Sequence, residues 1–254
     1  MATLLLLTML FTSCGEDFTK TKKITIGVDD EFAPICFYNE RNKLVGFDVD
    51  LAKEAAKRMK VDIEFKPIDW DNKREEITSG NIDLIWNGLD ITDERKEYMI
   101  FTKPYMIDRQ VFLVRRGNNS DIRSEDDLAG KIVGTQAGST SDDYVSQHED
   151  VKNKFKEYKT YGKFIDAISA LKNDEIDVLV CDELVARYEV NKTPKQLELL
   201  NVKIGSIAEM AVGFRKDNVK LRDEVQKVFD EMIKDGTARK ISVKWFQADV
   251  IHQW

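Results

Sequence analysis

The chemistry of this chain can be organised around Arg95. Its guanidinium is a planar fork of donors that meets a carboxylate with two parallel hydrogen bonds. In its Asp93-Glu-Arg-Lys96 run it would also serve as an ordinary solvated helix residue. A second group, Gly138-Ser139-Thr140-Ser141, precedes a helix predicted to begin near Asp142. Backbone N–H groups at a helix start, with hydroxyls beside them, make an anion site, although simple capping also accounts for Ser and Thr. A third residue, Asp182, can accept from a cation, cap a helix or join a structural salt bridge. An arginine on one side of a cleft, a Ser-Thr turn on the other and a carboxylate nearby would hold one carboxylate and one ammonium. Those are the two charges of an α-amino acid zwitterion. Phe32, Trp70 and Trp86 lie near the same segments and can stack on a ligand body. Each also suits a core, Trp86 most of all because it continues an apolar run.

Other chemistry has little material. The 254 residues carry a net charge of −7 and a pI near 5.1, which speaks against a nucleic-acid surface. Two His and three Cys offer little for a zinc site. Gly134-x-x-x-Gly138 lacks the Lys of a phosphate loop, and neither H-E-x-x-H nor G-x-S-x-G occurs. His148, His252 and the Lys152 to Lys163 stretch are expected to be solvated, the last as a helix face. Cys36 and Cys181 are expected as two buried free thiols, with a disulfide between them left open.

Short apolar runs read as strands: Ile24 to Gly27, Ile63 to Phe65, Ile82 to Trp86, Val111 to Val114, Lys131 to Gly134 and Ile176 to Val180. Helical stripes lie between them, over residues 47–59, from Phe164 to Leu171 and from Leu221 to Met232, with Gly236 as a C-terminal cap. The alternation predicts an α/β fold with largely parallel sheets. The phrase Ile82-Asp83-Leu84-Ile85 returns as Ile176-Asp177-Val178-Leu179, so two similar lobes are expected. In open α/β sheets ligands gather at the carboxyl ends of strands. Asp29, Asp90, Arg95, Ser139 and Asp182 all follow such runs.

The uncharged run from Ala2 to Ser13 is too short to span a membrane and fits a secretory signal. Small residues before Cys14 resemble a lipobox, with Cys14 as the lipidated residue. Residues 1–13 are then a lipoprotein signal peptide and residues 14–22 a tether.

Residues 24–36, 44–59, 80–96, 128–140 and 211–216 together resemble the polar amino-acid-binding proteins of bacterial ABC importers, extracellular solute-binding protein family 3. The resemblance covers about Lys23 to Phe246. It implies a type II periplasmic-binding-protein-like α/β fold. Two lobes, each a mixed sheet flanked by helices, are joined by two crossing strands. Lobe 1 would be residues 23–112 plus 210–254 and lobe 2 residues 113–209, with crossings at Val111 to Val114 and Ala211 to Phe214. Carried over by resemblance, Arg95 grips the ligand carboxylate, and Ser139 and Thr140 donate to it from the other lobe. Asp182, Gly88 and Asp90 meet the α-ammonium. Asp29, Phe32 and Trp70 surround the ligand side chain. Asp90 stands where many relatives have Ser or Thr, and the stretch from Phe32 to Ile35 is often more aromatic. Three aspartates against one Arg95 favour a cationic ligand side chain, whereas Gln136 would suit glutamine.

The implied function is that of an extracytoplasmic, lipid-anchored solute-binding component that captures a polar L-amino acid by hinge closure. Its partners would be a permease with its ATPase and the membrane through the anchor, with no nucleic acid, and the protein is expected to be a monomer. No cofactor, metal or catalytic residue is expected. The alternatives on this scaffold are a cyclohexadienyl dehydratase-like enzyme, with Glu183 or Asp90 as general acid, and a ligand-sensing module.

Overall fold

The computed structural model describes residues 23–118 and 121–252. The signal peptide, the tether and Cys14 lie outside the described residues.

The first lobe begins with β1 (Ile24–Val28), followed by β2 (Glu31–Phe32), β3 (Cys36–Tyr38), β4 (Leu44–Val45) and helix α1 (Phe47–Met59). Then come β5 (Ile63–Pro67), α2 (Lys73–Thr78), β6 (Leu84–Ile85), α3 (Asp93–Lys96) and β7 (Met99–Phe101). The second lobe contains β8 (Met106–Arg115), β9 (Ile132–Gln136), α4 (Thr140–Gln147), α5 (Glu149–Lys152), β10 (Glu157–Tyr161), α6 (Phe164–Lys172), β11 (Val178–Asp182), α7 (Glu183–Lys192) and β12 (Leu197–Met210). The chain then returns to the first lobe through β13 (Gly213–Arg215), α8 (Val219–Lys234) and α9 (Thr237–Phe246).

Two five-stranded mixed sheets result, ordered β5-β1-β6-β13-β7 and β10-β9-β11-β8-β12. In each, three parallel strands lie side by side, β5-β1-β6 in one and β10-β9-β11 in the other, and antiparallel strands complete the sheet. The repeated Ile-Asp phrase has a structural counterpart. The Asp83 carboxylate accepts from Thr25 N–H, and the Asp83 N–H donates to the Thr25 carbonyl. Asp177 makes the same reciprocal pair with Ile132. In both lobes one aspartate thus fixes the start of the central strand against the strand beside it.

Helix α1 buries Phe47, Leu51 and Ala55 on one stripe, as their spacing predicts. Gly236 lies just past the end of α8 at φ 77°, the left-handed position that favours glycine. Cys36 and Cys181 are buried free thiols. The Lys-rich stretch is not one helix face: its second half is β10, paired in parallel with β9. Glu157–Tyr161 has no fully buried position and ends the order of its sheet, so it is an edge strand.

The crossings also differ from expectation. Val111 to Val114 lies inside the second sheet, opposite β11, and Gly213 to Phe214 lies inside the first. These runs read as separate strands because both their faces are buried. The preceding part of β8 alternates buried and exposed, and its signal is weaker. The segments that run between the sheets are Met106 to Asp108 and Ala208 to Met210, paired as an antiparallel ribbon. A bridge between Asp90 and Met210 ties that ribbon to the first lobe.

Gly46, before α1, has φ 147° and ψ 172°. A Cβ there would come 2.0 Å from the Ile35 carbonyl oxygen. Gly46→Ala should therefore destabilise the domain by about 3 kcal/mol, from backbone strain and a clash with main chain. A urea midpoint within error of the wild type would refute this account of the turn.

Candidate functional site

One cavity between the lobes is lined by all nine residues singled out from the sequence. Asp29, Phe32, Trp70, Gly88, Asp90 and Arg95 come from the first lobe, and Ser139, Thr140 and Asp182 from the second. Asn87 and Gln136 complete the wall. The cavity encloses about 310 Å³ up to its mouth, but only about 20 Å³ is wide enough for the centre of a water molecule. Side-chain bonds between the lobes, Thr140 to Asp90 and Gln136 to Asp29, cross it.

Arg95 is 1% exposed. It sits in the four-residue helix α3, whose N-cap Thr92 accepts the Arg95 N–H at 3.1 Å. One terminal nitrogen donates to the Asp90 carbonyl at 2.9 Å and reaches the Thr140 hydroxyl at 3.5 Å. The other donates to the Gly138 carbonyl at 3.3 Å, across the cleft. Its nearest paired carboxylate oxygen, on Asp143, is 3.7 Å away, and its Nε has no partner. The guanidinium is thus oriented largely by carbonyls, while its charge is weakly matched.

Opposite it, Ser139 is the N-cap of α4 and accepts Asp142 N–H at 3.1 Å. Thr140 donates its hydroxyl to the Asp90 carboxylate at 2.5 Å. Gly138, at φ 67°, lies where the lobes meet. A Cβ there would be 2.9 Å from the Asp71 carboxylate and 3.0 Å from Asp71 Cα. Lys73, buried at the same spot, donates to the Gly138 carbonyl at 2.7 Å and to the Trp70 carbonyl at 3.1 Å. Burial and the Arg95 charge lower its ammonium to about 8.

Asp182 begins α7 but makes no capping bond with its side chain. Its carboxylate accepts from the Gln110 amide instead, so it is available to the cavity in a way a cap would not be. Asp90, Asp108 and Asp182 present oxygens within 4.8 Å of one another. Burial and the Asp182 charge push Asp90 up to about 7. Burial also raises Asp182, and it raises Asp108 well above the usual carboxylate range with help from its two acidic neighbours. This corner would stabilise a positive group.

At the far end of the cavity, Asp29 accepts from the Gln136 amide of the other lobe at 2.6 Å and from Glu31 N–H at 3.0 Å. Lys163 lies 3.7 Å from Asp29 and 2.7 Å from Asp30. Phe32 meets Phe164 edge to face at 5.8 Å across the cleft. Trp70 is in the wall, with the Lys73 ammonium 5.6 Å from its ring centroid. Trp86 is core, packed edge-on against Phe229 at 6.0 Å.

Sequence reasoning passed over Asp48, Lys73, Asp108 and Gln110. Asp48 is fully buried and accepts from Gly88 N–H at 2.6 Å and from the Tyr105 hydroxyl at 2.7 Å, fixing the Gly88 turn. It reads as one of several acidic residues on an amphipathic helix, and only the folded chain shows that it faces inward.

The profile of the bacterial extracellular solute-binding proteins, family 3, matches residues 24–248. The chain is 32% identical over 227 residues to the L-cystine-binding protein TcyJ of Escherichia coli, covering 89% of this chain and 84% of that protein. It superposes on an ABC uptake transporter substrate-binding protein from Streptococcus pneumoniae with bound histidine at a TM-score of 0.86, with 36% identity, covering 93% and 97% of the two chains. An ancestral arginine-binding protein bound to arginine gives a TM-score of 0.82 and 38% identity, covering 88% and 98%. The chain belongs to the bacterial extracellular solute-binding proteins, family 3. These relatives are binding proteins rather than enzymes, which sets the dehydratase alternative aside. Among the described residues no helix is long and apolar enough to cross a membrane.

Burial pushes the Asp48 carboxyl up to about 7, so the folded chain holds that proton more tightly than the unfolded one. The resulting stability is complete below the ordinary carboxylate range and is lost as pH rises through about 7. Asp48→Asn removes this titration. Its urea midpoint should fall less between pH 5 and pH 8 than that of the wild type, and parallel midpoints would contradict the assignment.

Proposed function

We propose that this chain captures a polar, cationic L-amino acid outside the cytoplasm for an ABC importer. The observation that carries the reading is one cavity with Arg95 at one side and Asp90 and Asp182 at another. A zwitterion supplies the anion that Arg95 lacks and the cation that the aspartates lack. Ser139 and Thr140 add hydroxyls on the carboxylate side, and Gly88 adds backbone beside the ammonium. Asp29 and Gln136 would receive the end of the side chain, flanked by Phe32 and Trp70. An excess of carboxylates over Arg95 favours arginine, lysine or histidine over an acidic ligand. The bound histidine and arginine in two structural neighbours support the same class.

Capture proceeds by hinge closure. The ribbon of Met106 to Asp108 against Ala208 to Met210 is the hinge, with lobe 1 before Met106 and after Met210 and lobe 2 between. With the lobes apart, ligand meets Arg95 and Trp70 first. Closure then exchanges direct bonds between the lobes, such as Thr140 to Asp90, for bonds through the ligand. Charge-assisted hydrogen bonds strengthen as water leaves. Micromolar capture requires about −8 kcal/mol net. The closed surface is what a permease with its ATPase would recognise, and Cys14 would carry the lipid that holds the protein at the membrane.

Calorimetry against L-arginine, L-lysine, L-histidine, L-glutamine, L-cystine and L-glutamate tests this. At least one basic amino acid should bind and glutamate should not. Arg95→Ala should weaken the tightest ligand by about 100-fold or more, roughly 2.8 kcal/mol. Unchanged affinity in that variant refutes the carboxylate clamp, and a preference for glutamate refutes the cationic class.

A further inference from the structure

Asp108 lies on the ribbon between the lobes and is 2% exposed. Gln110 is two residues along the same strand, so both side chains leave β8 on one face. Asp90 approaches from the loop after β6 in the first lobe, and Asp182 from the end of β11 in the second. Asp182 lies opposite Gln110 in the β8–β11 pair, so Asp108 and Asp182 are neighbours within the second sheet, and bringing the lobes together adds the Asp90 carboxyl and shuts the corner from water, with oxygens of all three within 4.8 Å.

The hydrogen bonds there are constrained. The Ser141 hydroxyl donates to the Gln110 carbonyl oxygen. The Gln110 amide nitrogen must then face the acids, donating to Asp108 at 3.1 Å and to Asp182. Asp108 Oδ1 is left buried with no partner, as is Asp90 Oδ1. Arg95 directs its terminal nitrogens to the Asp90 and Gly138 carbonyls, Thr140 and Asp143. The other ionisable groups facing this corner are Asp90, Asp182 and the Cys181 thiol on β11, while the register partner of Asp108 on β12 is Ala208. None brings a positive charge. Two carboxyls in contact away from water cannot both be ionised. Asp182 lines the cavity, accepts the closer Gln110 bond and feels the Arg95 charge. Asp108 lies behind the wall and has none of these.

We propose that Asp108 is a positioning residue that takes up a proton when the lobes close and donates it to Asp182, keeping Asp182 as the anion that meets the ligand ammonium. This rests on the amino-acid-binding reading above. It makes closure on a ligand a proton-consuming event at neutral pH. The shut state holds two of the three acids to one ammonium, and the third is neutral.

Calorimetry with L-arginine and L-histidine, in buffers of different ionisation enthalpy, counts the protons. Between pH 7 and pH 8.5 the wild type should take up as much as about one proton, and its affinity should fall by up to about tenfold per pH unit. Asp108→Asn keeps a donor for Asp182 and carries no titratable group. It should bind within a few-fold of the wild type at pH 7, take up fewer protons and lose the pH dependence. Asp108→Val, without the donor, should bind more weakly at every pH. A wild type that takes up no proton, or an Asp108→Asn variant that takes up as many, overturns the proposal. Should neither amino acid bind, the functional reading fails by itself. The ligand-free urea midpoint then decides: the wild type should lose stability relative to Asp108→Asn from pH 6 to pH 8, and parallel midpoints overturn the role of Asp108.

Discussion

A guanidinium buried between two lobes, bonded mainly to carbonyl oxygens, sets the terms for everything around it. Arginine cannot shed its proton, so its charge must be met where it stands. The Asp90 and Gly138 carbonyls orient Arg95 but supply only dipoles. Asp143 stands off at 3.7 Å. A few ångströms away, Asp90, Asp108 and Asp182 have the opposite imbalance, three carboxyl groups against the one charge of Arg95. Separate unmatched charges of opposite sign, held in fixed relation, describe the negative image of a zwitterion.

The scaffold meets that requirement by duplication. Each lobe has the same parallel core, and in each an aspartate brackets the start of the central strand. The strand ends, where ligand-facing residues gather, are therefore presented in similar ways from two sides. The two lobes contribute unlike chemistry to these matching positions. Arg95 comes from a short capped helix in one and the Ser139 turn from a helix start in the other. The ribbon between them carries Asp108, whose carboxyl lies within 4.8 Å of those of Asp90 and Asp182.

Much of this could be read from the sequence, for reasons that differ by element. The stripe from Phe47 to Met59 produced a helix with those bounds because burial of one face imposes its period directly. The strands were recovered where both faces are buried, as at Val111 to Val114. They were missed where burial alternates, as at Met106 to Asp108, or is only partial, as in β10. Arg95, Ser139, Thr140 and Asp182 stood out because each follows an apolar run and carries a group suited to an amino acid. Asp48 and Lys73 did not, since an acid or a lysine in an amphipathic segment looks solvated until its neighbours are known. Asp108 and Gln110 lie on a strand whose polar alternation carries no signal of burial, yet both are buried.

The sequence by itself determined the α/β alternation, the two-lobe plan and the kinds of group available to a ligand, because these depend on periodicity and residue chemistry that act locally. Tertiary structure alone decided which acids share a corner, that Lys73 is buried beside Arg95, and that Asp182 bonds Gln110 rather than capping its own helix. Those outcomes depend on distances between residues far apart in the chain. A carboxyl group's charge is set by desolvation and by neighbours within a few ångströms, and no local pattern records either.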